Sequence, residues 1–273
     1  MLCLIYFYHS QAMKLKIYQV DAFTQKLFGG NPAAICPLES WLPKELMLKI
    51  AAENNLSETA FYVKTGNVYD LKWFTPTVEI DLCGHATLAS AHVIFNYEKY
   101  QGDEIIFNSN SGELKVSRHD QLLTLDFPVD QYLPIEASKE LIDGLGVTPV
   151  EVYRGKIFIM AVLKNQKEIE NLNPDLKIIS KINANAILVT AKGESVDFVS
   201  RLFAPQSGID EDPVTGSAHT LLTPYWAAQL NKKIFSAQQL SKRKGDLTCE
   251  LAGDRVKISG YAKTYLVGEI ETE

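Results

Sequence analysis

Two stretches of this chain set acids, a glycine and a small polar residue just ahead of an apolar segment. In residues 79–95, EIDLCGHATLASAHVIF, the order is Glu79, Asp81, Gly84, His85. In residues 201–229, RLFAPQSGIDEDPVTGSAHTLLTPYWAAQ, it is Glu211, Asp212, Gly216, Ser217. Each glutamate stands five residues before its glycine, and each glycine opens a Gly–polar–Ala step, Gly84-His85-Ala86 and Gly216-Ser217-Ala218. If the apolar segments are helices, the glycines mark their N-termini. Free N–H groups and the positive end of the dipole make such a terminus a place for anions, and glycine lets a ligand approach the backbone. Two such starts facing one cleft could hold a substrate carboxylate. The pattern also fits a plain structural use, in which Asp81 and Asp212 cap their helices.

Glu58 is an acid of a different kind. It stands between Ser57 and Thr59 and is followed by Ala-Phe-Tyr-Val. A carboxyl entering an apolar strand loses water around its charge, which makes proton uptake cheaper; a general acid/base near pH 7 needs that property. The alternative is a hydrated strand-edge glutamate. The five histidines and four cysteines are scattered, with no CxxC or other metal-ligand spacing. His85 and His92 are seven apart, about 10 Å along a helix, too far to share an ion. No metal site is expected, and Cys83 reads as a small buried hydrophobe.

The elements that must position these residues follow from periodicity. Residues 15–23 alternate as a half-buried strand, Gly29-Gly30-Asn31-Pro32 is a turn, and 33–36 a second strand. A helix over 42–52 has Pro43 in its first turn. Strands are predicted at 60–63, 69–74, 105–107, 112–117 and 122–127. Residues 85–97 lack a polar face and read as a buried helix. The second half repeats the theme: a short helix within 133–145, strands at 151–153, 157–163 and 186–189, a second buried helix over 217–230 bent at Pro224, and strands at 247–251, 255–259 and 265–270. The expected class is α+β: two similar domains, each a curled, mostly antiparallel sheet around a central helix.

Composition narrows the function. The chain has 273 residues, 46% hydrophobic and 22% charged, enough for a sizeable core. A net charge of −6 argues against nucleic acid as the main partner. The one basic cluster, Lys242-Arg243-Lys244, reads as a solvated turn. Residues 2–8 are apolar but too short to span a bilayer, and no membrane association is expected. The strand pattern begins at Lys14, so Met13 reads as the natural start and residues 1–12 as an extension. Scattered thiols point to a reducing compartment, the cytoplasm. No GxGxxG or Walker pattern follows a strand, which disfavours nucleotide cofactors.

Four segments together resemble the PhzF, or phenazine biosynthesis-like, family: DAFTQKLFGGNPAAI, NNLSETAF, WFTPTVEIDLCGHATLASAH and GIDEDPVTGSAH. The resemblance implies a diaminopimelate epimerase-like fold of two domains with the active site in the cleft between them. It implies domains of 13–125 with a returning segment 262–273, and 126–261. Carried over by motif, Glu58 is the catalytic acid/base, with His85 and Asp212 as active-site partners. Ser57, Gly84, Gly216 and Ser217 line the substrate pocket, with Asn31 as a further candidate. The implied function is a cofactor-independent isomerase that moves a proton between carbons of a small carboxylic acid, as a homodimer. Diaminopimelate epimerases use two cysteines, whereas the second domain here offers Ser217, which disfavours a two-thiol mechanism. The alternative is a member of the fold that binds a small molecule or a protein without turnover.

Overall fold

The computed structural model describes residues 13–272, so the expectations for residues 1–12 lie outside the described residues. Its described strands form one continuous sheet that curls around two buried helices, Gly84–Tyr97 and His219–Leu230. The fold is α+β, as the periodicity predicts. The order of pairing senses repeats. From Met13–Ala22, through Asn31–Leu38, Glu58–Thr65, Val68–Phe74, Glu104–Ser109 and Gly112–His119 to Leu122–Pro128, successive pairs run antiparallel, parallel, antiparallel, parallel, antiparallel, antiparallel. From Glu151–Arg154, through Phe158–Val162, Ala186–Lys192, Phe198–Phe203, Ile234–Gln239 and Gly245–Ala252 to Arg255–Gly260, the same six senses recur in the same order. Each parallel pair needs a crossover, and helices supply it in both halves. The second crossover of each half carries the central helix.

The two halves are sewn together at both ends of this order. Leu122–Pro128 pairs antiparallel with Arg255–Gly260. The last strand, Ala262–Thr272, runs back along the first, from Met13↔Thr272 to Ala22↔Ala262. The central helices are apolar nearly all round because sheet surrounds them. Gly84 through Ala91 are all buried, as are Leu221, Leu222, Tyr225 and Trp226. Both helices share one core. The Lys44–Asn54 helix packs outside the first half, with Met47, Ile50 and Ala51 buried.

Several local expectations need revision. The second central helix opens with a 3-10 turn, Gly216–Ala218, before His219–Leu230. Pro224 lacks the N–H that would reach the Thr220 carbonyl; that carbonyl instead accepts from the Asp130 N–H at 3.1 Å. Two short helices, Gln166–Glu170 and Leu176–Ile179, are capped by Asn165 and Asp175 and are too short for periodicity to reveal. The strand Ile234–Gln239 is also absent from the sequence reading.

Lys242 and Lys244 are exposed, as a solvated turn requires, and Arg243 alone departs from that reading. Its guanidinium donates to Asp21 Oδ1 at 2.8 Å and to the carbonyls of Gly29 and Gly30 at 2.9 Å each. Asp21 is 1% exposed, so this pair joins the halves where water is largely excluded. Phe23 does the same by shape. It is fully buried at φ 62° and donates no side-chain bond; its carbonyl accepts from Asp246 N–H at 3.0 Å. Gly260 leaves room for its ring: a Cβ there would stand 2.4 Å from Phe23 Cδ1. Gly260→Ala therefore overpacks the junction and lowers stability by about 1–3 kcal/mol, read as a lower urea midpoint with an unchanged slope.

Candidate active site

Asn31 is the first residue of its strand, set by the turn at Gly29 and Gly30, and it is fully buried. Its Nδ2 donates to Asp212 Oδ1 at 2.8 Å and to the Val214 carbonyl at 3.0 Å, and lies 3.2 Å from His85 Nδ1. An ionised carboxylate and a carbonyl only accept. Both amide N–H bonds are thus committed and the orientation of the carboxamide is fixed. His85 Nδ1 is left to face Cys83 Sγ, 3.5 Å away.

Glu58 opens the strand Glu58–Thr65, opposite Ala33 in the parallel register with Asn31–Leu38. Its Oε2 is 3.1 Å from His85 Nε2. The two atoms are close yet out of line, and neither has an aligned hydrogen-bond partner. Glu58 is 8% exposed and His85 4%. At 3.1 Å the two groups nevertheless face each other as a buried pair.

The charges follow from this packing. Burial alone would drive the proton off His85, but the neighbouring Cys83 and Glu58 raise its pKa well above the usual histidine value. Burial pushes the Cys83 thiol up as well, so Cys83 is a neutral S–H at pH 7 and the charge that holds the His85 proton is that of Glu58. Burial also raises Asp212, against the opposing pull of His85 and of the bonds from Thr215 and Asn31. Asp212 Oδ2 accepts a short bond from the Thr215 hydroxyl.

The two glycine-led helix starts meet. A Cβ built on Gly84 would lie 3.7 Å from Gly216 Cα and 3.8 Å from Ser217 N. No side chain caps either start, which overturns the capping role for both aspartates. Asp81 is exposed and faces Asn110 at 3.4 Å. The echoed glutamates serve structure: Glu79 pairs with Lys44, and Glu211 takes a two-pronged bond from Arg201 at 2.7 and 3.0 Å. Ser57 and Ser217 are half-buried beside Glu58 and Gly216.

The structure thus gathers Glu58, His85, Asp212, Asn31, Gly84 and Gly216; Cys83 is buried in the apolar core, with its Sγ in contact with His85. The -Cys-Gly-His- spacing at a helix start was the available signal. The donor atoms of Glu58, Cys83 and His85 lie within 4.8 Å of one another. They do not converge as metal ligands: the thiol faces Nδ1 and the carboxylate faces Nε2, on opposite sides of one ring. The hollows of about 430 and 560 Å³ lie elsewhere, lined by His92, Arg118 and Lys263 and by Leu145, Asn165 and Asn171 respectively. Within the polar cluster Glu58 and His85 are buried, while Asp212, Ser57 and Ser217 keep partial exposure.

Comparison with known proteins agrees with this architecture. The family model described as phenazine biosynthesis-like protein (PhzC-PhzF) matches residues 20–268. A Pseudomonas aeruginosa protein described as an uncharacterized isomerase is 46% identical over 258 residues, covering 94% of this chain and 99% of that protein. The crystal structure of a PhzF family protein from Enterococcus faecalis superposes with a TM-score of 0.90 at 47% identity, covering 94% of this chain and 99% of that one. A hydroxyproline epimerase from Agrobacterium vitis shares the fold alone, with a TM-score of 0.59 at 11% identity over 94% of this chain and 92% of that one. By the extent of these matches, the chain belongs to the phenazine biosynthesis-like (PhzC-PhzF) family.

Proposed function

We propose that this protein is a cofactor-independent isomerase that moves a proton between carbons of a small unsaturated or cyclic carboxylic acid, with Glu58 as the acid/base. One observation carries the reading: Glu58 Oε2 and His85 Nε2, both buried and both without an aligned partner, face each other at 3.1 Å. Such a pair holds a carboxyl beside a proton donor and away from bulk water, as a general acid/base requires. Family membership and the printed description of the Pseudomonas relative as an isomerase support the same class.

In this mechanism the substrate carboxylate lies against the uncapped starts at Gly84 and Gly216, with Ser57 and Ser217 lining the pocket. Glu58 takes the proton from one carbon as that C–H bond breaks. The released electron pair shifts the adjacent double bond, and Glu58 returns the proton at the carbon where the pair arrives. Electrons and protons balance without an external oxidant. His85, charged beside Glu58, steadies negative charge at the reacting carbons, and Asp212 with Asn31 orients the substrate. Domains divided at 125/126, with 262–273 returning to the first, place Glu58 and His85 on one side of the cleft and Asp212 on the other. The reading takes a homodimer in the cytoplasm as the working form; the buried free thiols Cys36, Cys83 and Cys249 fit a reducing compartment.

Deuterium from solvent should enter a C–H position of an accepted acid, and Glu58→Gln should slow that exchange by about 10²–10⁴. Exchange that survives the substitution removes Glu58 from the role. Light scattering should return twice the 30.5 kDa chain mass; the mass of one chain excludes the dimer. Stability should peak near neutrality. Folding raises the pKa of His85 above that of the unfolded chain, about 6.5, so its contribution is complete below that pH and is lost as pH rises toward the folded value. Burial lowers His92 and His219 to about 4, so the unfolded chain binds more protons between about 4 and 6.5 and stability falls there on acidification. Urea unfolding across pH should show both limbs, and His85→Gln should flatten the alkaline one alone.

A further inference from the structure

Asp212 sits on a short loop, and its usefulness depends on what holds that loop. One carboxylate oxygen takes the Asn31 N–H, the other the Thr215 hydroxyl. Thr215 is itself gripped on three sides. Its N–H donates to Gln239 Oε1 at 2.9 Å. Gln239 Nε2 donates to the Asp212 carbonyl at 2.7 Å and reaches Thr215 Oγ1 at 3.3 Å. The Thr215 carbonyl is 3.0 Å from His219 Nδ1.

The chemistry of these side chains fits the task. A carboxamide carries an acceptor and a donor at one end, so Gln239 can bind a backbone N–H at one end of the loop and a carbonyl at the other. Glutamate would offer only acceptors and lysine only donors. Gln239 is fully buried at the end of the strand Ile234–Gln239, opposite Gly245 on one side and Ser200 on the other. The Thr215 carbonyl can only accept, so His219 Nδ1 must carry the hydrogen. Burial keeps His219 neutral at pH 7, which provides that one tautomer, with Nε2 buried and unpartnered.

We propose that Gln239 and His219 are positioning residues for Asp212: they fix Thr215 so that its hydroxyl occupies one Asp212 oxygen and leaves the other to Asn31. The inference rests on the reading of Asp212 as a working member of the site. Neither residue touches Glu58 or His85 in the hydrogen-bond network: His219 acts through Thr215, and Gln239 through Thr215 and the Asp212 carbonyl.

The test needs no substrate. In the full-length protein labelled with ¹⁵N-histidine, the His85 ring reports on Asp212 through Asn31. Gln239→Leu and Thr215→Val should each shift the His85 ring signals and lower its titration midpoint by about one pH unit. The double variant should fall short of the sum of the two, since they share the path through Thr215. His219→Leu should act likewise, and His219→Asn, whose amide N–H stands in for Nδ1–H, should restore the midpoint. If Gln239→Leu does not fold, Gln239→Met, which keeps the length of the side chain and loses its bonds to Thr215 and the Asp212 carbonyl without adding charge, carries the test with Thr215→Val. Folded Gln239 and Thr215 variants with unchanged His85 signals overturn the positioning role, provided Asp212→Asn does move them. If Asp212→Asn leaves His85 unmoved, the failure belongs to the reading of Asp212 itself.

Discussion

The carboxamide of Asn31 is the constraint on which the site depends. It has two N–H bonds to give, and both cross to the other half of the molecule, to Asp212 and to the Val214 carbonyl. A buried donor left unpaired costs about 1–3 kcal/mol, so any sliding of one half against the other at this point is opposed twice. The surroundings tighten the same joint. Gly30 N–H donates to the Lys244 carbonyl at 2.7 Å, Arg243 grips the two glycine carbonyls, and Phe23 fills the space beneath Gly216. This side of the cleft is a fixed edge.

Electrostatics explains why a fixed edge is useful. Glu58 and Asp212 both lean on one imidazolium in a buried pocket. Opposite charges about 4 Å apart are worth about 4 kcal/mol at an effective dielectric near 20, enough to keep a proton on His85 that burial would otherwise remove. Removing Glu58 from that distance would weaken this hold. An incoming acid adds negative charge to a pocket already holding two carboxylates, which is why the uncapped helix starts matter. No side chain caps them, so the positive ends of both helix starts face the cluster. Had Asp81 and Asp212 capped them, the pocket would repel the ligand it is proposed to bind.

Glu58, His85 and Asp212 are picked out by the family motifs they lie in, since local pattern alone leaves a hydrated strand-edge glutamate and a capping aspartate open; the two glycine starts stand out because they echo each other. The central helices were legible from their lack of a polar face. Arg243 was not: three basic residues in a row carry no sign that one of them points inward to Asp21. Gln239 was not, because IFSAQQ ends in two glutamines that look alike, and only the register against Phe198–Phe203 and Gly245–Ala252 decides which is buried. Asn31 was visible in the turn, but its partners are 181 and 183 residues away in sequence. Long-range partners of this kind leave no local trace, whereas motif chemistry and periodicity do.

The repeated order of strand pairings makes the two halves equivalent in frame, and the residues placed on that frame make them different. At the matching helix starts one half carries His85 beside Glu58 and Cys83, and the other carries Ser217. A serine hydroxyl has too little acidity to donate or hold a proton as a thiol or carboxyl does. On the proposed reading, the frame that could present an acid/base to each face of a substrate presents one to a single face. Asp212, held by Asn31 and Thr215, has both oxygens engaged and serves orientation. A proton removed by Glu58 therefore has Glu58 as its carrier back, and it leaves and returns on the same face. That outcome fits migration of a proton between carbons of one substrate. Inversion at one carbon would require a second carrier on the opposite face, where the chain has placed a hydroxyl.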